Sequence, residues 1–236
     1  MKYIFYLVGT IFLTSAWAKP ETVFVVPPYE IPPYIINYQQ QKGIVFDLVK
    51  KLNQQHKNKF HFSVKLIPRA RAIQMLEDTN EPVIISYISP KWLEENQQSE
   101  YLWSHVLFED TNVIIYKSNS HIKKIQQIND LSGLRTSQVT GMKNQIYDEL
   151  RKKIPLKIDT SLNIDSTFKK LDAGRIDFFI TGMSIVNYYK TLDDYKDLSF
   201  QDHLLNKKFN RQLLIHPKNR TDILNAVNAT ITNELN

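Results

Sequence analysis

IDSTFKKLDAGRIDFFI, residues 164–180, predicts a helix followed after a short turn by a strand. The helix is predicted over Ile164 to Leu171 and is closed by Gly174, and the strand is predicted over Ile176 to Ile180. A helix joined to a strand in this way is the unit from which sheets with covering helices are built. The stretch therefore predicts an α/β protein.

The same alternation extends over the rest of the chain. Strands are predicted from short β-rich or alternating runs, and helices from apolar residues spaced by three and four. The other predicted strands are Thr22–Val26, Phe60–Leu66, Val83–Ile88, Val113–Tyr116, Arg135–Val139 and Phe209–Ile215. The other predicted helices are 44–55, Arg69–Glu77, Met142–Lys153, Ser184–Tyr189 and Thr221–Leu235. This order indicates mostly parallel sheets flanked by helices.

The first 18 residues have the three-part pattern of a secretory signal peptide. Lys2 provides a positive charge, Tyr3 to Leu13 form an apolar run, and Ala16-Trp17-Ala18 has the small-residue pattern that precedes cleavage. The apolar run is shorter than the roughly 20 residues that a membrane span requires. We therefore expect cleavage after Ala18 and export of a diffusible protein to the periplasm.

The composition excludes several kinds of chemistry. Cysteine is absent, which excludes disulfides, zinc–thiolate sites, a thiol nucleophile and a lipidated cysteine anchor. The chain has 30 Lys and Arg against 24 Asp and Glu, a formal net charge of +6, without a long basic run. We therefore expect no nucleic-acid partner and a weak preference for anionic ligands.

Motifs for nucleotide binding, metalloprotease activity and serine hydrolysis are absent from the sequence. The six histidines lack metal-ligand spacing. Adjacent acids such as Glu94 and Glu95 point about 100° apart on a helix, so they are poorly placed for joint acid–base work. The sequence predicts a protein without a cofactor, a metal ion or catalytic residues.

Two loops at the ends of predicted strands are candidates for ligand binding. Pro27 to Tyr34 is a stiff loop in which Tyr29 and Tyr34 are either walls for a ligand or packing residues. Thr140-Gly141-Met142 connects a strand to a helix. Its backbone N–H groups either bind a carboxylate or phosphate or are capped by Thr140.

A third candidate is the start of the helix after Pro68. Arg69 and Arg71 lie there, where a cation is unfavourable for the helix dipole. Either a ligand anion or a partner carboxylate lies beside them, or they are plain surface arginines.

In their order and spacing these segments resemble the family 3 extracellular solute-binding proteins, the periplasmic receptors of amino-acid ABC importers. The resemblance covers the whole mature chain. It is carried by Pro27-Pro28-Tyr29, Gly43-Ile44-Val45-Phe46-Asp47-Leu48, residues 69–76, Ile88-Ser89-Pro90-Lys91, Asp130-Leu131-Ser132-Gly133 and residues 171–177.

The resemblance implies a type II periplasmic binding protein fold of two lobes that close on a ligand. Lobe 1 is expected to comprise residues 20–108 plus 210–236, and lobe 2 residues 112–205. Crossovers near Phe108–Thr111 and Leu205–Phe209 are expected to be the hinges. Structural roles are implied for Asp47, Asp130 and Asp177.

The resemblance also implies ligand contacts. Arg69 occupies the position of an aromatic residue that covers the ligand. Ser86 and Tyr87 occupy positions whose backbone and hydroxyl groups meet the ligand. The loop that binds the carboxylate matches Thr140, Gly141 and Met142.

Two positions depart from the family pattern. Trp92 stands where an arginine for the α-carboxylate is expected. Gly182, beside Thr181, stands where an acid for the α-ammonium is expected. Replacements for the arginine are available in Arg69, Arg71 and Lys91, whereas none is evident for the acid. The ligand expected from this pattern is a small polar or carboxylate-bearing, amino-acid-like solute, to which Tyr29, Tyr34 and Trp92 offer aromatic contacts.

The predicted function is that of a monomeric solute-binding protein, not an enzyme, which delivers its ligand to an ABC importer. A ligand-sensing module for a membrane receptor is an alternative with the same fold. A dehydratase-like enzyme is a further alternative, for which Glu30 or Glu109 would be the general acid.

Overall fold

A computed structural model describes residues 19–77, 82–118, 122, 125–140, 142, 145–201, 204–205, 208–216 and 220–235. The predicted signal peptide and Gly141 lie outside the described residues, as does the side chain of Arg69. Within the described residues, no helix combines the length and apolar character that crossing a membrane would need.

Strands and helices alternate along the described chain as predicted. The strands are β1 (Glu21–Val26), β2 (Phe60–Val64), β3 (Val83–Ile88), β4 (Leu102–Trp103), β5 (Phe108–Lys117), β6 (Arg135–Val139), β7 (Lys157–Ser161), β8 (Phe179–Gly182), β9 (Leu198–Gln201) and β10 (Lys208–Ile215). The α-helices are α1 (Ile44–His56), α2 (Arg69–Glu77), α3 (Glu95–Gln98), α4 (Gln145–Arg151), α5 (Ile164–Asp172), α6 (Met183–Tyr189) and α7 (Thr221–Leu235).

The main sheet has the order β2-β1-β3-β10-β5-β8, with β4 paired to β10 and β9 paired to β5. Parallel pairs join β1 to β2, β1 to β3, and β6 to β7 in a separate two-stranded sheet. The main sheet is mixed because β5 and β10 run antiparallel to each other and to their other neighbours. The predicted α/β class, with sheets flanked by helices, is confirmed.

The apolar face of α1 shows how the pattern specifies the packing. Val45, Leu48, Val49 and Leu52 recur at spacings of three and four, and all four are buried in the largest apolar cluster. The same cluster contains Ile223 and Val227 of α7. Burial of these side chains therefore holds both helices against the part of the main sheet formed by β1, β2 and β3.

Two strands, β10 and β5, connect the part of the main sheet formed by β1, β2 and β3 to the part formed by β8 and β9. Phe108–Thr111 of β5 pairs with Lys208–Arg211 of β10, with Asp110 directly opposite Phe209. Alternation turns Asp110, Phe209 and Arg211 inward, where they are buried, and leaves Glu109 and Lys208 exposed. The predicted hinge Phe108–Thr111 thus pairs with a segment that includes the last two residues of the other predicted hinge, Leu205–Phe209, of which residues 206 and 207 lie outside the described residues. The hinge roles and the lobe boundaries remain predictions.

Two predicted elements begin later than expected. The strand predicted from Ile176 begins at Phe179, because the residues before it pair with β6 instead of with β5. The N–H groups of Asp177 and Phe178 donate to the Arg135 carbonyl, and Phe178 forms a parallel bridge with Thr136. For the helix predicted over Met142–Lys153, Met142 is not helical, residues 143 and 144 lie outside the described residues, and the described helix is Gln145–Arg151. Strand β7 was not predicted because most of its side chains are exposed, which removes the apolar alternation.

Asp130 and Asp177 stabilise turns of the second part of the chain. The Asp177 carboxylate accepts bonds from the Arg135 backbone N–H at 2.7 Å and from its guanidinium at 2.6 Å. The backbone N–H groups of Gln126 and Gln127 donate to Asp130 and lower its pKa. These contacts agree with the structural roles that the resemblance implies.

Tyr147 of α4 forms hydrogen bonds to residues of two strands, β6 and β8. Its hydroxyl shares a hydrogen bond with Thr136 at 3.0 Å, donates to the Ser137 carbonyl at 3.1 Å and accepts from the Ile180 N–H at 2.9 Å. Burial raises the pKa of Tyr147 to about 12. The folded state therefore favours the neutral phenol.

We expect the free energy of unfolding to fall as the pH rises above about 10. Below that pH Tyr147 is neutral in both states, whereas between about pH 10 and pH 12 only the unfolded chain loses the proton. The contribution of Tyr147 is on the order of 2–3 kcal/mol. Urea unfolding at pH 8, 10, 11 and 12 measures it. Tyr147→Phe should show a shallower fall than the wild type, and an identical fall would contradict the assignment.

Candidate functional site

A cleft of about 1330 Å³ lies between two walls that are joined by β10. The first wall comes from residues 27–92 and includes Pro27, Pro28, Tyr29, Glu30, Leu66, Ile67, Pro68, Ile73, Lys91 and Trp92. The second wall comes from residues 112–185 and includes Asn112, Thr140, Met142, Gln145, Ile146, Asp148, Ile180, Thr181, Gly182 and Ile185. Lys208, Phe209 and Arg211 of β10 complete the lining.

The carboxyl ends of strands position much of this lining. Pro27 follows β1, Thr140 follows β6, and Gly182 is the last residue of β8. Ligands of open α/β sheets bind at such edges, because the loops there change direction between strand and helix. The predicted location of the site at strand ends therefore coincides with the cleft.

Four of the residues proposed from the sequence line the cleft. Tyr29 and Trp92 lie on the first wall, and Thr140 and Met142 lie on the second. The Thr140 N–H donates to the Ser161 carbonyl at 2.8 Å, and the Met142 N–H donates to the Val139 carbonyl at 3.1 Å. These two N–H groups are thus used within the protein.

Three other proposed residues are buried outside the lining. Ser86 donates its hydroxyl to the Val26 carbonyl at 3.1 Å, and Tyr87 donates to the Ile44 carbonyl at 3.1 Å. The hydroxyls of Tyr34 and Ser184 share a hydrogen bond at 3.0 Å. Burial raises the pKa of Tyr34 to about 12 and also raises the pKa of Tyr87, so both phenols stay protonated at neutral pH.

Neither of the two arginines at the start of α2 belongs to the described lining of the cleft. Arg71 is exposed and does not line the cleft, and the side chain of Arg69 is outside the described residues. Pro68 and Ile73, on either side of them, do line the cleft.

The most buried charges of the site form an ion pair that was not predicted. Arg211 is 3% exposed and Asp110 is 4% exposed. The Nε and Nη2 atoms of Arg211 donate to Asp110 Oδ2 at 3.1 and 2.9 Å, and Nη1 donates to the Tyr87 carbonyl at 2.9 Å. This pair lies where β5 and β10 pair with each other, between the two walls of the cleft.

Asp110 also anchors the second wall. Its Oδ1 accepts from the backbone N–H groups of Ser184 at 3.1 Å and Thr111 at 2.9 Å. Its Oδ2 accepts the Ser184 hydroxyl at 2.8 Å in addition to Arg211. One carboxylate therefore binds α6 of the second wall to β10.

Three aromatic rings surround the Arg211 guanidinium. Its central carbon lies 4.7 Å from the ring centre of Trp92, 4.8 Å from that of Phe209 and 5.2 Å from that of Tyr34. Rings at this distance attract a cation through their quadrupoles and shield it from water. Trp92 and Phe209 also line the cleft, so they can contact both a ligand and Arg211.

Gly182 explains one departure from the family pattern. A Cβ atom at this position would lie 3.0 Å from Asp110 Oδ2 and 3.3 Å from Arg211 Nη2. A longer acidic side chain would meet the same carboxylate. The Asp110 carboxylate therefore already fills the space that an acidic side chain at position 182 would need.

The sequence contains a signal for the Asp110–Arg211 pair. Alternation along β10 puts Phe209, Arg211 and Leu213 on one face. Phe209 and Leu213, on either side of Arg211, are both buried. An arginine between two inward apolar residues predicts a buried guanidinium, which requires a carboxylate partner.

The other charges of the cleft are exposed. Glu30 and Lys91 lie on the first wall, and Lys91 donates to the Lys208 carbonyl at 2.8 Å. Glu109, the other candidate acid, does not line the cleft and is 2.8 Å from Lys208 Nζ. No cluster of His, Asp and Glu that would hold a metal ion occurs among the described residues.

Solved binding proteins have the same fold. The holo arginine-binding protein ArgBP from T. maritima has a TM-score of 0.68 and 18% identity over 91% of this chain and 90% of that chain. The substrate-binding protein of an amino acid ABC transporter has a TM-score of 0.66 and 17% identity over 89% and 92%. An ancestral amino-acid-binding protein, described as a precursor of cyclohexadienyl dehydratase, has a TM-score of 0.68 and 19% identity over 90% and 88%.

No protein-family model matches the sequence, and no curated protein matches it. At identities below 20% the structural likeness establishes the fold and leaves the ligand open. The chain therefore has the α/β fold of amino-acid-binding proteins, as the sequence motifs predict.

Proposed function

We propose that this protein binds a small solute in the cleft between its two walls and delivers it to an ABC importer. The proposal rests on the observation that residues of both walls and of the connecting strand β10 line a single cleft. Its volume of about 1330 Å³ exceeds the roughly 300–1,000 Å³ of pockets that enclose a small ligand. The cleft thus fits an open state that closes on the ligand.

The ligand is a small polar or carboxylate-bearing, amino-acid-like molecule. Lys91, Lys208 and Arg211 supply positive charge at the cleft, and Tyr29, Trp92 and Phe209 supply flat apolar surface. The solved neighbours include proteins bound to arginine and glutamine. The general class of an amino-acid-like solute is supported by the shared fold and by these lining residues together.

The proposed location is the periplasm, after cleavage of the signal peptide at Ala18. The protein is proposed to act as a monomer that meets its importer by diffusion. One solved neighbour is the binding protein of an amino acid ABC transporter, which supports an importer as the partner.

Binding without chemistry is the favoured function. One neighbour is described as a precursor of a dehydratase, and Glu30 is the candidate acid that lies in the cleft. Arogenate and prephenate, incubated with the protein and followed by absorbance, test this second function. Turnover that is lost in Glu30→Gln would establish an enzyme, whereas binding without turnover supports the proposal.

We expect the purified protein to retain a small molecule. Native mass spectrometry before and after unfolding and refolding should show a mass difference, and the released compound can be identified. Calorimetric titration of the refolded protein with that compound should show one site per chain. Protein that retains no molecule, and binds none from a panel of amino acids and carboxylates, would contradict the proposal.

Tryptophan fluorescence locates the bound ligand. Trp92 lines the cleft, whereas Trp103 donates its indole N–H to the Gln98 carbonyl at 3.0 Å and does not line it. The ligand-induced change in emission should persist in Trp103→Phe and be lost in Trp92→Phe. The opposite pattern would place the ligand outside the cleft.

A further inference from the structure

We infer that the Arg211 guanidinium is the carboxylate-binding group of the cleft, and that the ligand is a monocarboxylate without an amino group. The inference rests on the proposed function and names the ligand class for the same site. Arg211 comes from β10, which connects the two walls, and it is the most buried cation of the cleft lining.

The hydrogen bonds of Arg211 leave donors for a ligand. A guanidinium has five N–H groups. Two donate to Asp110 and one donates to the Tyr87 carbonyl, which leaves one N–H on Nη1 and one on Nη2 without a partner among the described residues. A carboxylate accepts such N–H groups in short, charge-assisted bonds.

An ammonium group finds no comparable partner. The five bonds to Asp110 come from Arg211, Ser184 and Thr111, and Asp110 does not line the cleft. The carboxylates of the described lining are Glu30 and Asp148, which are both exposed. An ammonium beside Arg211 would also meet a like charge. The site therefore favours the carboxylate and disfavours the zwitterion.

The surroundings of Arg211 specify the rest of the ligand. Trp92 and Phe209 lie within 5 Å of the guanidinium and also line the cleft. Ile180 and Ile185 add apolar surface on the second wall. The body of the ligand is thus apolar or aromatic, and its exclusion of water strengthens the bonds between the carboxylate and Arg211.

Three compounds that share a phenyl ring on a two-carbon chain test the ligand class. Calorimetry of the refolded protein compares 3-phenylpropanoate, L-phenylalanine and 2-phenylethylamine, and 4-methylpentanoate with L-leucine forms an aliphatic pair. We expect each carboxylate to bind at least about tenfold more tightly than its amino acid, because the carboxylates of the described lining, Glu30 and Asp148, are both exposed and an ammonium beside Arg211 meets a like charge. The amine should not bind.

The outcomes separate this inference from the proposed function. Equal or tighter binding of the amino acids would overturn the monocarboxylate assignment and leave a solute-binding protein. Failure of both carboxylates to bind would also overturn it. The proposed function is judged separately, by whether the purified protein retains a small molecule or binds one from the panel of amino acids and carboxylates.

A double variant tests the role of Arg211. Asp110→Asn with Arg211→Gln removes both charges together, so neither is left buried alone. The carboxylates should bind at least about tenfold more weakly, with the fold checked by circular dichroism. Arg175→Gln is the control, because Arg175 is exposed and lies outside the cleft lining, and it should bind as the wild type does.

Arg211→Lys covers the case in which the double variant does not fold. It keeps a positive charge beside Asp110 and loses the forked arrangement of donors. A folded double variant that binds the carboxylates as tightly as the wild type would overturn the assignment of Arg211, and a tenfold loss supports it. Where the double variant does not fold, the same two results for Arg211→Lys decide the assignment.

Discussion

Asp110→Ala should lower the free energy of unfolding by about 3–5 kcal/mol, because it leaves the Arg211 guanidinium buried without its counter-ion. The side chains of the two residues are 1% and 4% exposed, and Asp110 accepts five hydrogen bonds from Arg211, Ser184 and Thr111. Urea unfolding followed by circular dichroism at pH 7 measures the change. The effect combines an unpaired charge with the loss of the contacts that hold α6.

The adjacent residue provides the control. Glu109 lies on the opposite face of β5, where its carboxylate is 2.8 Å from Lys208 Nζ and both side chains are more than half exposed. Glu109→Ala should therefore cost less than about 1 kcal/mol. Equal effects of the two substitutions would contradict the view that the Asp110–Arg211 pair holds the centre of the site.

Gly43→Ala should lower the free energy of unfolding by about 2–6 kcal/mol. Gly43 has φ +131°, and a Cβ atom would lie 2.4 Å from the Tyr34 carbonyl oxygen. Backbone strain of about 1–3 kcal/mol adds to a steric overlap of about 1–3 kcal/mol. Because that overlap is with backbone, relief requires movement of the segment that carries Tyr34, next to Arg211.

Gly133→Ala is the matched control for this substitution. Gly133 also has a positive φ, +75°, but apart from its chain neighbours no described residue has an atom within 4 Å of the Cβ position. The substitution should lower the free energy of unfolding only by the cost of placing an alanine in this backbone conformation, about 1–2 kcal/mol. Thermal unfolding of both variants in parallel measures the difference, and equal losses would show that the overlap with Tyr34 has no energetic consequence.

Secondary structure was predictable where side chains alternate between core and solvent. Helix α1 has the predicted buried face, and β3 and α7 have the predicted bounds. Prediction was poorer where bonds from outside the element decide its limits. Thus β8 begins at Phe179 because Asp177 bonds to Arg135, a contact between distant segments that no local pattern indicates.

The site was only partly predictable for the same reason. Loop residues after strands could be assigned to the cleft, as Tyr29 and Thr140 show, because the ends of strands determine where a cleft forms. Tyr34 lies in the same loop after β1 as Tyr29, and Tyr87 lies near the end of β3, yet their hydroxyls bond to Ser184 and to the Ile44 carbonyl in the interior. Which side of a loop faces the ligand depends on such tertiary contacts.

The pairing of β5 with β10 has a consequence for motion between the two walls. Two separate linkers would let one wall swivel freely about the other, since each could rotate independently. Here the linkers share ladder bonds over 108–111 and 208–211 and are cross-linked by Asp110 and Arg211. We expect them to flex together, so that the two walls approach each other about one common axis.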